Sequence, residues 1–232
     1  MSTIATTNIK EPSSATNNIT LTSGGDTTIS GNSTISGNAT ISGTPTLGGL
    51  TYPTADGTAN QVLTTNGSGT LSFADRGRIV LETAQATTSG TSIDFTGIPS
   101  WVKKITVMFN GVSTSGTSRL LIQLGDSGGV ETTGYNSGTI YAGGVSINTA
   151  SSTAGFIIDV NAAAGAHYGP IQFTYFGSNS WHGSGWVKTN TNTYASTMGE
   201  KTLSDTLTQV RLTTVNGTDT FDAGSINLLL EG

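Results

Sequence analysis

Over its C-terminal two thirds the chain alternates apolar and polar residues with a period of two. Ile105, Val107 and Phe109 share one face of the run Lys104–Asn110. Leu120, Ile122 and Leu124 do the same in Arg119–Gly125, and Ile226, Leu228 and Leu230 in Gly224–Leu230. Such alternation puts successive side chains on opposite faces of an extended strand. Further strands are expected at Arg78–Thr83, Ser92–Phe95, Thr139–Ala142, Phe156–Asn161, Pro170–Phe176, Trp186–Asn190 and Gln209–Val215. Asn110-Gly111, Gly128-Gly129 and Asn216-Gly217 punctuate them as turns. Many short strands at this spacing predict an antiparallel β-sandwich, jelly-roll-like, and about 155 residues suffice to bury its own core.

Nearer the N-terminus the period changes. The chain reads TTISGN, STISGN, ATISGT, PTLGGL, so Ile29, Ile35, Ile41 and Leu47 stand six apart, and Gly31, Gly37, Gly43 and Gly49 keep the same step. A six-residue step matches no helical stripe. It suits short strands joined by glycine turns, as in β-helical fibres. One aliphatic side chain per unit cannot build a core within one chain. Three chains around an axis bring three such side chains together per layer, so an ordered shaft is expected as an intertwined homotrimer. The alternative is a flexible Thr/Ser/Gly linker. Further on, Gln61–Thr65 and Thr70–Ala74 read as a hairpin around Asn66-Gly67-Ser68-Gly69. The first residues are polar and irregular, and fit a segment that orders against a partner. The expected organisation is all-β: an attachment segment over 1–27, a repetitive β shaft over 28–50, a junction hairpin over 51–76 and a β-sandwich head over 77–232.

Composition narrows the function. Charged residues make up 10% of the chain, against about 25% in ordinary soluble proteins. Glycine fills 32 of 232 positions, and strong helix formers are scarce. The net charge is −5, and Lys and Arg cluster only at Lys103-Lys104 and Arg76/Arg78, so the basic footprint of a nucleic-acid binder is missing. Without cysteine, neither disulfides nor thiolate metal sites can hold the fold. The opening MSTIATTNIKEPSS lacks an apolar h-region, and no apolar run approaches about 20 residues. Folding in the cytoplasm without membrane insertion is the expectation. Association between chains is the remaining source of stability.

Two segments carry a family resemblance. The run YPTADGTANQVLTTNGSGTLSFAD (Tyr52–Asp75) resembles the junction upstream of the tip domain in many bacteriophage tail fibres. Ile98–Tyr135 and Val210–Gly232 resemble the β-sandwich tip domain of phage fibres, especially those of marine and cyanobacterial phages, with Asp219-Thr220-Phe221-Asp222-Ala223-Gly224-Ser225 the most specific part. The resemblance implies a trimeric, non-enzymatic structural protein of the virion, assembled in the host cytoplasm. It implies docking on a tail or baseplate protein through residues 1–27 and contact with host-surface glycans. Two alternatives stay open: a collar, neck or head-decoration fibre without a receptor role, and a polysaccharide-degrading tailspike.

Several motifs could carry chemistry. Gly125-Asp126-Ser127-Gly128-Gly129 copies the nucleophile loop of chymotrypsin-like proteases. That mechanism needs a histidine base before the serine in the chain, whereas His167 and His182 both follow Ser127. Asp and Gly also favour ordinary turns, which is the expected role. Two histidines fifteen positions apart, with no third ligand, give no metal site, so neither metal nor cofactor is expected. The carboxylates are scattered and read as turn and solvation residues. The densest group is aromatic: Phe173, Tyr175, Phe176, Trp181, His182, Trp186 and Tyr194. Gly177–Gly185 reads as an exposed loop. Flat rings beside Asn, Ser and His suit a sugar, so Trp181, His182 and Trp186 are the candidate receptor contacts. The competing reading packs these rings inside the sandwich, and alternation favours it for Phe173 and Tyr175.

Overall fold

A computed structural model describes residues 34–232 except 36, 42, 144–145, 159–164 and 190–192. The expected attachment segment 1–27 and the first hexad unit lie outside the described residues. The chain divides into two units. One runs to Asp56 and includes Thr65–Ser72; the other is Gly57–Thr64 with Phe73–Gly232. Among the described residues every regular element is a strand, as the period-two pattern predicts.

In the first unit, β1 (Thr46–Leu47) and β2 (Leu50–Thr51) pair antiparallel across Gly48-Gly49. Both glycines sit at positive φ, 58° and 79°, a setting that costs other residues strain. The described residues before Thr46 contain no strand. Ile35, Ile41 and Leu47 are exposed, and among the described residues no further apolar face covers them. Further along, β3 (Gln61–Thr65) and β4 (Leu71–Asp75) form a hairpin. Asn66 Oδ1 holds its turn, accepting from the Ser68 amide at 2.8 Å and the Thr70 amide at 3.1 Å. Gly67 and Gly69 take the positive φ there while Asn66 does not, so a side-chain-held reversal replaces the expected tight Asn-Gly turn.

The head begins with β5 (Ile79–Leu81), β6 (Gln85–Ala86), β7 (Ser92–Thr96), β8 (Lys104–Thr114), β9 (Leu120–Asp126) and β10 (Gly129–Val130). There follow β11 (Tyr135–Gly143), β12 (Ser146–Ser152), β13 (Phe156–Ile158), β14 (His167–Gly177), β15 (Ser180–Thr189), β16 (Tyr194–Thr202), β17 (Gln209–Thr214) and β18 (Phe221–Glu231). The larger sheet runs β12-β11-β16-β15-β14-β8-β18-β5, with β6 also on β18. The smaller runs β10-β9-β17-β7, with β13 on β9. Pairing within both sheets is antiparallel.

Inward positions of the two sheets meet in one core. Ile105, Val107, Ile171, Phe173, Ile226 and Leu228 come from the larger sheet, and Phe95, Ile122, Leu124, Val210 and Leu212 from the smaller. Phe156 on β13 joins them, with Phe173 edge-on at 4.8 Å and Tyr135 edge-on at 5.4 Å. β13 is tied to the larger sheet as well as to β9. The Ser137 hydroxyl accepts from the Ile157 amide at 3.0 Å, and the Thr197 hydroxyl donates to the Ile157 carbonyl. At the entry to β18, the Asp219 carboxylate accepts from the Ser118 amide at 2.9 Å and from Asn216 Nδ2 at 2.6 Å. Ser113 donates to Asp222, and Gly224, at φ 93°, sits where the β8–β18 register shifts.

Gly183 makes room for the two core rings. A Cβ there would stand 2.6 Å from Phe173 and 2.9 Å from Phe156. Gly183→Ala is therefore expected to lower head stability by about 1–3 kcal/mol, as overpacking does. Urea unfolding reads the change; an unmoved midpoint would mean that the rings shift freely.

Candidate functional site

The stretch expected as a loop is mostly strand. Only Ser178 and Asn179 turn, at φ 48° and 60°, and β15 starts at Ser180. Its glycines serve packing rather than turning: a Cβ on Gly183 would meet core rings, and one on Gly185 the β14 backbone at Pro170 and Ile171. Because β15 lies between β14 and β16, alternation divides the three candidate contacts. Trp181 points inward, is 3% exposed, and lies 5.4 Å from the Tyr175 ring. Its ring edges a small cavity of about 90 Å³ with Pro99, Asn179 and Leu207, away from the outer face of β15. His182 and Trp186 point outward on the same face. His182 stacks on Phe176 at 4.8 Å, and its Nε2 lies 3.7 Å from a Glu200 carboxylate oxygen. Trp186 is 59% exposed.

The register extends this face across the larger sheet. Pro170, Trp186, Ser196, Ile140 and Thr149 form one cross-strand row, and Gln172, Ser184, Met198, Gly138 and Ser151 the next. Tyr168, Lys188 and Tyr194 lie beyond the first row; Thr174, His182, Glu200 and Asn136 lie beyond the second. Pairing of β14 with β15 lapses between Tyr168↔Lys188 and Ile171↔Gly185, beside Trp186. Pro170 has no N–H to give to a ladder, and Gly169 sits at φ 126°. Two depressions open on this face. One, of about 630 Å³, is lined by Asn136, Ile140, Thr149, Ser151 and Met198 among others; the second, of about 450 Å³, by Pro170, Gln172, Ser184, Trp186 and Met198. Ser196 lines both. It is 2% exposed, and its Oγ has no hydrogen-bond partner among the described residues. β16 carries Ser196 and Met198, yet its small and polar residues give it little alternation in the sequence. Only the exposure of Met198 and Tyr194 marks it out.

The protease-like motif is a turn between β9 and β10. The Asp126 carboxylate accepts from the Ser204 hydroxyl at 2.6 Å, the Gly128 amide at 2.8 Å and the Asp205 amide at 2.9 Å. These bonds, Ser204 foremost, hold its pKa below the ordinary carboxylate value. Ser127 Oγ lies 3.5 Å from Asp205, and neither histidine is its partner. Nearby, burial pushes the Glu131 pKa up, but the bond from Lys201 and the Ser204 amide outweigh it and leave it lowered. Lys201, buried under the Tyr135 ring at 5.1 Å, also donates to the Thr133 carbonyl at 2.9 Å. Among the described residues, no group of three or more His, Asp or Glu is placed to hold a metal ion. The chain matches no protein-family model, no curated protein and no solved structure.

His167 is enclosed, 1% exposed, at the start of β14. Its Nδ1 lies 2.7 Å from the Val112 carbonyl, so the neutral ring carries its proton there, and Nε2 has no partner among the described residues. Burial lowers its pKa, with the Val112 bond opposing. The unfolded chain thus takes up a proton before the folded one does. Stability is complete above the unfolded value of about 6.5 and falls as pH drops below it. His167→Asn keeps an amide donor for Val112 without the titration. Urea midpoints at pH 7.5 and 5 are expected to differ less in this variant than in the parent; an equal difference would assign the acid sensitivity elsewhere.

Proposed function

We propose that the chain is a non-enzymatic structural protein of a bacteriophage fibre. It assembles as a homotrimer, docks on a tail or baseplate protein through residues 1–27, and touches host-surface glycans with its head. The observation that carries this reading is the series of exposed aliphatics at Ile35, Ile41 and Leu47, six residues apart, joined by exposed Ile79 and Leu81 in β5. Among the described residues no second apolar layer covers the repeat, and symmetric association is the usual remedy. The exposed tryptophan, tyrosines and methionine on the outer face of the larger sheet support the glycan contact. Three heads on one fibre would turn weak single contacts into firm attachment through effective concentration.

Light scattering on the full chain is expected to give about three times 23.6 kDa. The combined variant Ile35→Ser, Ile41→Ser, Leu47→Ser should make the trimer dissociate at lower dilution while the head still unfolds cooperatively. A one-chain mass for the parent at working concentration removes the proposal. Added to host cells, the parent should bind them and block infection, whereas a purely structural fibre does neither.

A further inference from the structure

We propose that the two depressions flanking Ser196 form a single groove for an uncharged saccharide, with Trp186 as its stacking platform. The inference rests on the glycan-contact reading and specifies it.

Trp186 stands half out of the sheet on an interior strand, so its backbone is fixed on both sides and its ring is open to solvent. The face of an indole suits the C–H face of a pyranose. Ile140 adds apolar wall on the far side of Ser196, and Met198, on the same strand as Ser196, borders both depressions. Hydroxyl and amide groups surround these surfaces: Asn136, Thr149 and Ser151 in one depression, Gln172 and Ser184 in the other. That alternation of apolar surface and neutral hydrogen-bonding groups matches the two faces of a sugar ring.

Two observations fix the ligand class. The lining of both depressions contains no charged side chain. Nearby charges lie outside the groove, with Glu200 beside His182 on one flank and Lys188 opposite Tyr194 on the other. An anionic sugar would find no Arg or Lys to pair with inside, and the flanking charges, Glu200 and Lys188, are of opposite sign. The Ser196 hydroxyl is enclosed and unpartnered where the depressions meet, and a buried hydroxyl without a partner is costly. A polyhydroxylated ligand supplies that partner. A second copy of the chain laid on this face is the competing occupant. The interleaving of polar with apolar side chains favours the saccharide.

The test is a printed array holding neutral hexose oligosaccharides beside sialylated, sulfated and uronic-acid ones, probed with the full chain. The parent is expected to be retained on neutral glycans alone. Trp186→Ala should weaken that binding about tenfold or more, with mass and unfolding midpoint unchanged, and Ser196→Val several-fold, with mass unchanged and unfolding still cooperative. Retention on anionic glycans only, or on none, overturns the groove, as does undiminished binding by Trp186→Ala. Loss of assembly in Trp186→Ala also overturns it and assigns the face to contact between copies. If Trp186→Ala still binds host cells like the parent, the receptor reading survives while the groove does not.

Discussion

The head depends on one side chain reaching from the smaller sheet into the larger. Phe156 occupies a three-residue strand, too short to hold itself, yet its ring meets Tyr135 and Phe173 edge-on and lies over the bare backbone of Gly183. The contact is reinforced by hydroxyls of the larger sheet, which take both backbone groups of Ile157. Apolar contact and hydrogen bonding therefore fix the same spacing between the sheets. With Gly183 pinned inward, the phase of β15 is settled, and the outward direction of His182, Ser184 and Trp186 follows from it.

The same dependence explains what was readable from the sequence and what was not. Strands with strong contrast between their faces declared themselves: Ile105, Val107 and Phe109 in β8, and Ile226, Leu228 and Leu230 in β18, lie buried as their alternation predicts. β12 and β16 escaped notice because serine, threonine and alanine fill them. Inward Thr197 and outward Ser196 differ little in polarity, and their places are set by partners distant in the chain. The first half of β15 differs from its sequence expectation for another physical reason. Glycine and serine at 177–185 have the composition of a loop, but Gly183 and Gly185 are there because neighbouring rings and backbone leave no space for a Cβ. His182 and Trp186 do reach the surface, Trp181 does not, and the groove residues on β11 and β16 were legible only after register had placed them.

Enclosed polar groups recur throughout the head, and most are satisfied locally. Asp126 collects three donors at a turn, Lys201 lies between Glu131 and a carbonyl, and Asp94 forms a two-pronged pair with Arg211 at 2.6 and 2.7 Å. Such bonding offsets the desolvation of each group and fixes where turns may form. Against that background His167 Nε2 and Ser196 Oγ stand apart, since neither has a partner among the described residues. They lie on different sides of the larger sheet. The histidine sits among core residues and responds to protons, whereas the serine lies enclosed beneath the floor shared by the two depressions.

The alternation along β15 has an evolutionary consequence. Core positions 181, 183, 187 and 189 interleave with surface positions 182, 184, 186 and 188 on a single rigid strand. Mutations at the even positions can vary what the surface presents without disturbing the odd ones that hold the sheets together. This face can therefore diversify from within regular structure, with no lengthening of loops and little loss of fold.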